Sequence, residues 1–185
     1  GILYKRFDLR EPDELLKAVS ECDVVFHLAA SRSVPLSVKD PLSSISNNVM
    51  STVNVLESAR LAGVSKVVYA SSSSVYGDPP VRPTPEDMRF SPLSPYAASK
   101  CSCENIAMSY SRTYDISCTV LRPFNIYGPR PANDDSPLEV VPRFLYAVAR
   151  GESPEIEGDG EQTRDFVHVE DVVRAFQLAA SDEKR

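Results

Sequence analysis

The sequence predicts an α/β protein, a doubly wound parallel sheet followed by a smaller lobe. Three observations carry that prediction. Short apolar runs alternate with amphipathic stretches along the first two-thirds of the chain. The apolar runs are continuous rather than alternating, as in strands buried on both faces of a parallel sheet. After Gly128 the texture changes to the Pro/Asp-rich "PRPANDDSP" and shorter segments.

In order, "GILYKRFDL" reads as a first strand. "EPDELLKAVSEC" follows as a helix, with Pro12 at its start, acids in its first turn, and Leu15, Leu16 and Val19 on one face. "DVVFHLAA" is a buried strand. "DPLSSISNNVMSTVNVLESARLAG" is one long helix stopped by Gly63, since glycine enters the left-handed conformation of a C-terminal cap without steric cost. "KVVYASS" is a strand, "SPYAASKCSCENIAMSYSRTY" a long helix, and "SCTVLRPFNIYG" a further strand. In the later part, "LEVVPRFLYAVARG" is a helix, "PEIEGDG" a short strand and turn, "RDFVHV" a strand and "EDVVRAFQLAAS" a helix. The expected division is residues 1–130 as a main domain and 131–185 as part of the smaller lobe.

Composition narrows the function. A chain of 185 residues can bury one sizeable core. A net charge of −6 argues against a nucleic-acid or anionic-membrane surface, which needs a basic face. Cys22, Cys101, Cys103 and Cys118 contain no CxxC pair, and His27 and His168 do not cluster with them. Free thiols in a reducing compartment follow, with no metal site and a cytoplasmic location expected. No apolar run approaches the roughly 20 residues of a membrane span. His27 and His168 both read as satisfied core histidines.

Ligands of such sheets bind at the carboxyl ends of the strands, where "HLAAS", "SSSSVYG" and "RPFNIYG" fall. Tyr96 and Lys100 stand four apart near a helix start, so they share a face. A tyrosine is a poor base at neutral pH, and a nearby lysine cation favours its phenolate. The pair can take a hydroxyl proton while hydride leaves the same carbon. A serine at the neighbouring strand end can bond the same oxygen. None of the seven glycines forms the GxGxxG turn that cradles a pyrophosphate.

The runs "FHLAAS", "NNVMSTVNVLES", "KVVYASSSSVYGDP", "SPYAASK", "LRPFNIYGPR" and "GDGEQTRDFVHVEDVV", in that order, resemble the extended short-chain dehydrogenase/reductase family. Within it, the chain is most similar to the NAD-dependent nucleotide-sugar 4-epimerases. The resemblance implies a Rossmann-type sheet, NAD as cofactor and a UDP-linked sugar as substrate. It makes Ser72, Tyr96 and Lys100 catalytic, with Lys100 also bonding the nicotinamide ribose. It places Asp8 and Leu9 at the adenine, and Leu28, Ala29, Ala30 and Asn48 along the cofactor. Ser71 and Phe124 fall at the nicotinamide, and Asn125 and Arg164 at the sugar diphosphate. It further implies a homodimer through a four-helix interface, for which "STVNVLESARLA" and "CENIAMSY" offer apolar faces.

The four serines discriminate among reactions. Related dehydratases carry Thr-Asp-Glu here, and related decarboxylases keep a glutamate before the Tyr-Gly turn. Ser72, Ser73 and Ser74 occupy those positions, and serine hydroxyls barely ionise. Oxidation and re-reduction at C4 remain, without elimination, which is epimerisation. A nucleotide-sugar reductase or dehydrogenase is the alternative within the family, and a non-catalytic NAD or sugar-nucleotide sensor the alternative outside enzymes. The glycine-rich βαβ unit and the end of the sugar lobe that the family has are expected to lie outside these residues. A polypeptide of these residues alone is therefore expected to bind NAD poorly; micromolar binding in a calorimetric titration would contradict that.

Overall fold

The computed structural model describes residues 1–130 and 139–182. The expected loop "PRPANDDSP" therefore lies mostly outside the described residues. Strands β1 (Val24–His27), β2 (Lys66–Ala70) and β3 (Ser117–Leu121) form a parallel sheet in that order. Val24 pairs with Lys66 and Lys66 with Ser117, so all three strands end on one edge.

Neighbouring valines in β2 show why the sheet is doubly wound. Val67 faces Leu15 and Val19 of α1 (Pro12–Val19), Leu56 and Ala59 of α4 (Ser51–Ala62) and Ala107 of α5 (Pro95–Thr113). Val68 points the other way, onto Phe176 and Ala179 of α7 (Val169–Ser181). Each buried valine contributes about 1.5–3 kcal/mol, and both faces of the strand are covered. A second, two-stranded parallel sheet pairs β4 (Asn125–Tyr127) with β5 (Phe166–His168). Helix α6 (Val140–Ala149) precedes β5.

The structure departs from expectation in several places. Residues 1–9 form no strand, because no described strand lies beside them to supply a ladder. Phe7 and Leu9 still pack against the core, and Asn54 donates to the Leu9 carbonyl at 3.1 Å. Among the described residues β1 lies at the edge of its sheet, where Phe26 is 45% exposed. "SRSVPLSVKD" forms α2 (Val34–Lys39), capped by Ser33, and Asp40 caps α3 (Pro41–Ile45). The expected single long helix is thus α3, a wider π turn over Ser46–Met50 and then α4, which Gly63 ends at φ 72.

"SCTVLRPFNIYG" is two strands in two sheets, since Pro123 has no N–H to continue a ladder. "PEIEGDG" forms no strand. Helix α7, from the later part of the chain, covers one face of the main sheet.

Candidate active site

Ser94 caps α5, accepting from the Ala97 N–H at 3.1 Å, and Pro95 starts its first turn. Tyr96, Lys100 and Glu104 then recur every four residues on one face, against the carboxyl end of β2. Lys100 Nζ donates to the Ala70 carbonyl at 2.7 Å. The Ser71 hydroxyl donates to Glu104 Oε1. The Ser72 hydroxyl lies close enough to Tyr96 to favour its phenolate. Three residues of one helix face thus meet three successive residues of one strand end.

The four serines are employed differently. Ser71 is buried and anchored on Glu104. Ser72 faces Tyr96 and caps the short helical turn Ser73–Tyr76 by accepting from the Ser74 N–H at 3.2 Å. The Ser73 N–H donates to the Pro123 carbonyl at 3.0 Å. The Ser74 hydroxyl is buried without a partner. Gly77 ends the turn at φ 65, and a Cβ there would stand 2.0 Å from the Ser91 carbonyl oxygen. Both the conformation and the contact demand glycine.

Electrostatics correct one expectation. Lys100 is 3% exposed, and burial lowers its pKa to about 8. Its ammonium sits 4.8 Å above the Tyr69 ring and 5.9 Å from the Tyr96 ring centroid. Burial raises the Tyr96 pKa, opposed by the Ser72 hydrogen bond and the Arg32 charge, while Glu139 raises it further. The lysine was expected to bring the phenol down. In the protein alone burial keeps it raised, Ser72 and Arg32 only oppose that rise, and Lys100 is directed at Ala70 and Tyr69.

Asn48, 1% exposed in the π turn, accepts from the Ser31 N–H at 2.7 Å and donates to the Ser31 carbonyl and the Ser99 hydroxyl. Ser99 in turn donates to the Tyr96 carbonyl at 2.7 Å, and the Tyr96 N–H donates to Ser37. The loop after β1 is therefore stitched to the start of α5. Leu28 is 62% exposed and Ala29 is exposed, with Ala30 half-buried, so this run forms an open apolar edge and not core. Asp8 pairs with Arg10 at 2.6 Å, which holds its carboxyl down at about 2.

Phe124 packs on Val75, Tyr76 and Cys101, its ring stacked 6.5 Å from Tyr76. Asn125 donates to the Asp165 carbonyl at 2.8 Å, which places it beside exposed Arg164, whose guanidinium donates to the Thr163 carbonyl. His27 is a core histidine bonded to Thr52 at 2.9 Å, its pKa taken down to about 4 by burial. His168 is not: it is half-buried and caps α7.

Sequence reasoning missed Arg32, Glu104 and Arg122. Arg32 pairs with Glu139 at 3.2 Å. Glu104 is the next step of the four-residue series, and that spacing was a usable signal. Arg122 follows β3 directly and reaches both Glu104 and the Tyr76 hydroxyl.

The residues fit a nicotinamide dinucleotide at this edge. Lys100 spends one of three donors on Ala70, leaving donors for a diol, and Leu28 and Ala29 supply an apolar wall. Among the described residues no helix is long and apolar enough to cross a membrane.

This arrangement is that of a Rossmann-like NAD-binding fold, and the chain belongs to the NAD dependent epimerase/dehydratase family, whose model matches residues 4–185. It is 49% identical over 158 residues to a UDP-glucose 4-epimerase of Mycolicibacterium smegmatis, covering 85% of this chain and 50% of that one. It is 38% identical over 180 residues to a UDP-N-acetyl-alpha-D-glucosaminuronate decarboxylase of Bacillus cytotoxicus, covering 94% of this chain and 54% of that one. Among solved structures it matches a UDP-N-acetylglucosamine 4-epimerase from Methanobrevibacter ruminantium M1 in complex with UDP-N-acetylmuramic acid. That match has a TM-score of 0.93 and 40% identity, and covers 98% of this chain and 58% of that one. The chain thus spans about half the length of the curated relatives it matches.

Gly77→Ala is expected to destabilise the protein by more than about 1 kcal/mol. A thermal melt of the variant, compared with the native protein, checks this.

Proposed function

We propose that the protein bearing this chain epimerises a nucleotide sugar, a UDP-hexose, at C4 through a transient 4-keto sugar. One observation carries the choice of reaction. The turn facing Tyr96 offers the hydroxyls of Ser72, Ser73 and Ser74 and no carboxylate, so elimination and decarboxylation lack an acid–base group there.

Tyr96 as phenolate takes the C4 hydroxyl proton. Ser72 bonds the same oxygen and steadies its developing charge. NAD, when bound, accepts the C4 hydride and returns it. Lys100 donates to the nicotinamide ribose from a fixed position over Tyr69, and Ser71 and Phe124 border the ring. Asp8, Leu9, Leu28, Ala29, Ala30 and Asn48 line the rest of the cofactor path, Asn48 by holding Ser31. Asn125 and Arg164 hold the sugar diphosphate, so the keto sugar can turn and present its other face. Arginine suits that role through its bidentate fork. Residues 1–130 serve the cofactor and 131–185 chiefly the sugar. A homodimer through α4 and α5 belongs to the same reading, supported by exposed Leu61 and Met108 on those helices.

The test is product identification by NMR after incubating the full-length protein with UDP-glucose, UDP-N-acetylglucosamine and UDP-glucuronate. A C4 epimer without net cofactor use supports the reading. Stoichiometric NADPH use points to a reductase, loss of carbon dioxide to a decarboxylase, and no turnover to a sensor.

Tyr96→Phe is expected to lower kcat by at least about 100-fold, measured with the same substrate. Ser72 favours the phenolate, so its loss raises the Tyr96 pKa. Turnover needs the phenolate, and the rising limb of the pH–kcat profile of Ser72→Ala is therefore expected at higher pH than in the native protein.

A further inference from the structure

An ion pair between buried Glu104 and half-buried Arg122, beside the serine turn, has no part in the chemistry above. Glu104 lies on α5 one turn beyond Lys100, its side chain 4% exposed. Arg122 gives Nε to both Glu104 oxygens at 3.0 Å and Nη2 to Oε2 at 2.8 Å. Desolvating the Glu104 carboxylate is costly, and an ion pair around a buried charge often adds little net stability, so stability explains it poorly.

What the pair touches is more informative. Glu104 Oε1 also accepts the Ser71 hydroxyl. Arg122 Nη1 donates to the Tyr76 hydroxyl at 2.8 Å and to the Glu86 carbonyl at 2.7 Å. Its guanidinium lies between the Tyr76 and Phe90 rings, 5.1 and 5.0 Å from their centroids. Ser71 and Tyr76 bracket Ser72, so both ends of the turn that carries Ser72 are bonded to one ionic unit. Tyr96 rides on the same helix as Glu104, two turns earlier.

We infer that Glu104 and Arg122 are positioning residues that fix the Ser72 hydroxyl against Tyr96. This rests on the catalytic reading of Ser72 and Tyr96. Neither residue touches the reacting atoms. The planar guanidinium fork sets orientation as well as distance, and a small misplacement of a catalytic group is costly in rate.

The test uses the full-length protein loaded with NAD. Glu104→Gln and Tyr76→Phe are each made in the native and the Ser72→Ala backgrounds. The readout is single-turnover reduction of bound NAD by a UDP-sugar, followed by near-UV absorbance, which does not depend on the final product. Glu104→Gln is expected to slow reduction about 10- to 100-fold with the half-saturating sugar concentration unchanged. In the Ser72→Ala background it is expected to slow it no further, because the group it positions is gone. Tyr76→Phe, which removes a single acceptor and keeps the ring, gives a smaller loss that Ser72→Ala masks equally.

Amide hydrogen exchange supplies a readout apart from activity. Residues 71–77 exchange faster in Glu104→Gln while 51–62 do not. Additive losses, a loss confined to half-saturation, or exchange that rises everywhere together would overturn the inference. A native protein that reduces no NAD would instead sink the catalytic reading, and exchange alone would then decide whether the pair holds the turn.

Discussion

Two opposite charges buried one turn apart on a single helix face constrain this molecule more than any other contact. Lys100 and Glu104 are each 3% exposed. A charge taken out of water must find partners nearby or cease to be a charge. The end of β2 supplies them in part: the Ala70 carbonyl and the Tyr69 ring for Lys100, the Ser71 hydroxyl for Glu104. Arg122, at the end of β3, supplies the rest. The register of α5 against the strand ends is thereby fixed electrostatically, where apolar packing alone would permit sliding. Tyr96 inherits its position from that register.

The same edge is then held from its other side. β1 contributes little burial of its own, yet the loop beyond it is tied to α5 through Asn48, Ser31 and Ser99, and through Ser37 to the Tyr96 amide. The π turn makes this possible by setting Asn48 inward between α3 and α4, where its carbonyl also accepts from Thr52. The result is an edge whose polar groups are rigidly placed while its apolar lip at Leu28 stays open. Rigid donors beside accessible apolar surface are what a binding edge of this fold requires.

Much of this was legible in the residues. The alternation of apolar runs and helices set the sheet, Gly63 set a helix end, and the spacing of Tyr96 and Lys100 set the face of α5. What escaped was whatever depended on neighbours across space. "DVVFHLAA" looks equally apolar at an edge or in a centre, so its exposure could not be read. The π turn has no local signature in "SISNNVM". The proline after Arg122 did announce a break, and the continuous apolar character of "TVLRPFNIY" hid it. Glu104 looked like any polar residue on a long helix, because its partner lies 18 residues away, just past the end of β3. Nor could spacing show that Lys100 would turn from Tyr96 toward Ala70.

The electrostatics of this edge also bear on why hydroxyls suit the turn. Arg122 is engaged by Glu104, Tyr76 and Glu86, and Lys100 by Ala70 and Tyr69. Ser74 already buries a hydroxyl that has no partner. A carboxyl at that buried position would pay for desolvation, which raises its pKa and favours the neutral acid. That state is what an elimination acid needs, and what a pure hydride shuttle does not. A hydroxyl there adds polarity without adding a proton to give away. The choice between eliminating water and returning hydride can therefore rest on side chains two residues beyond Ser72, with the helix, the ion pair and the strand ends left the same.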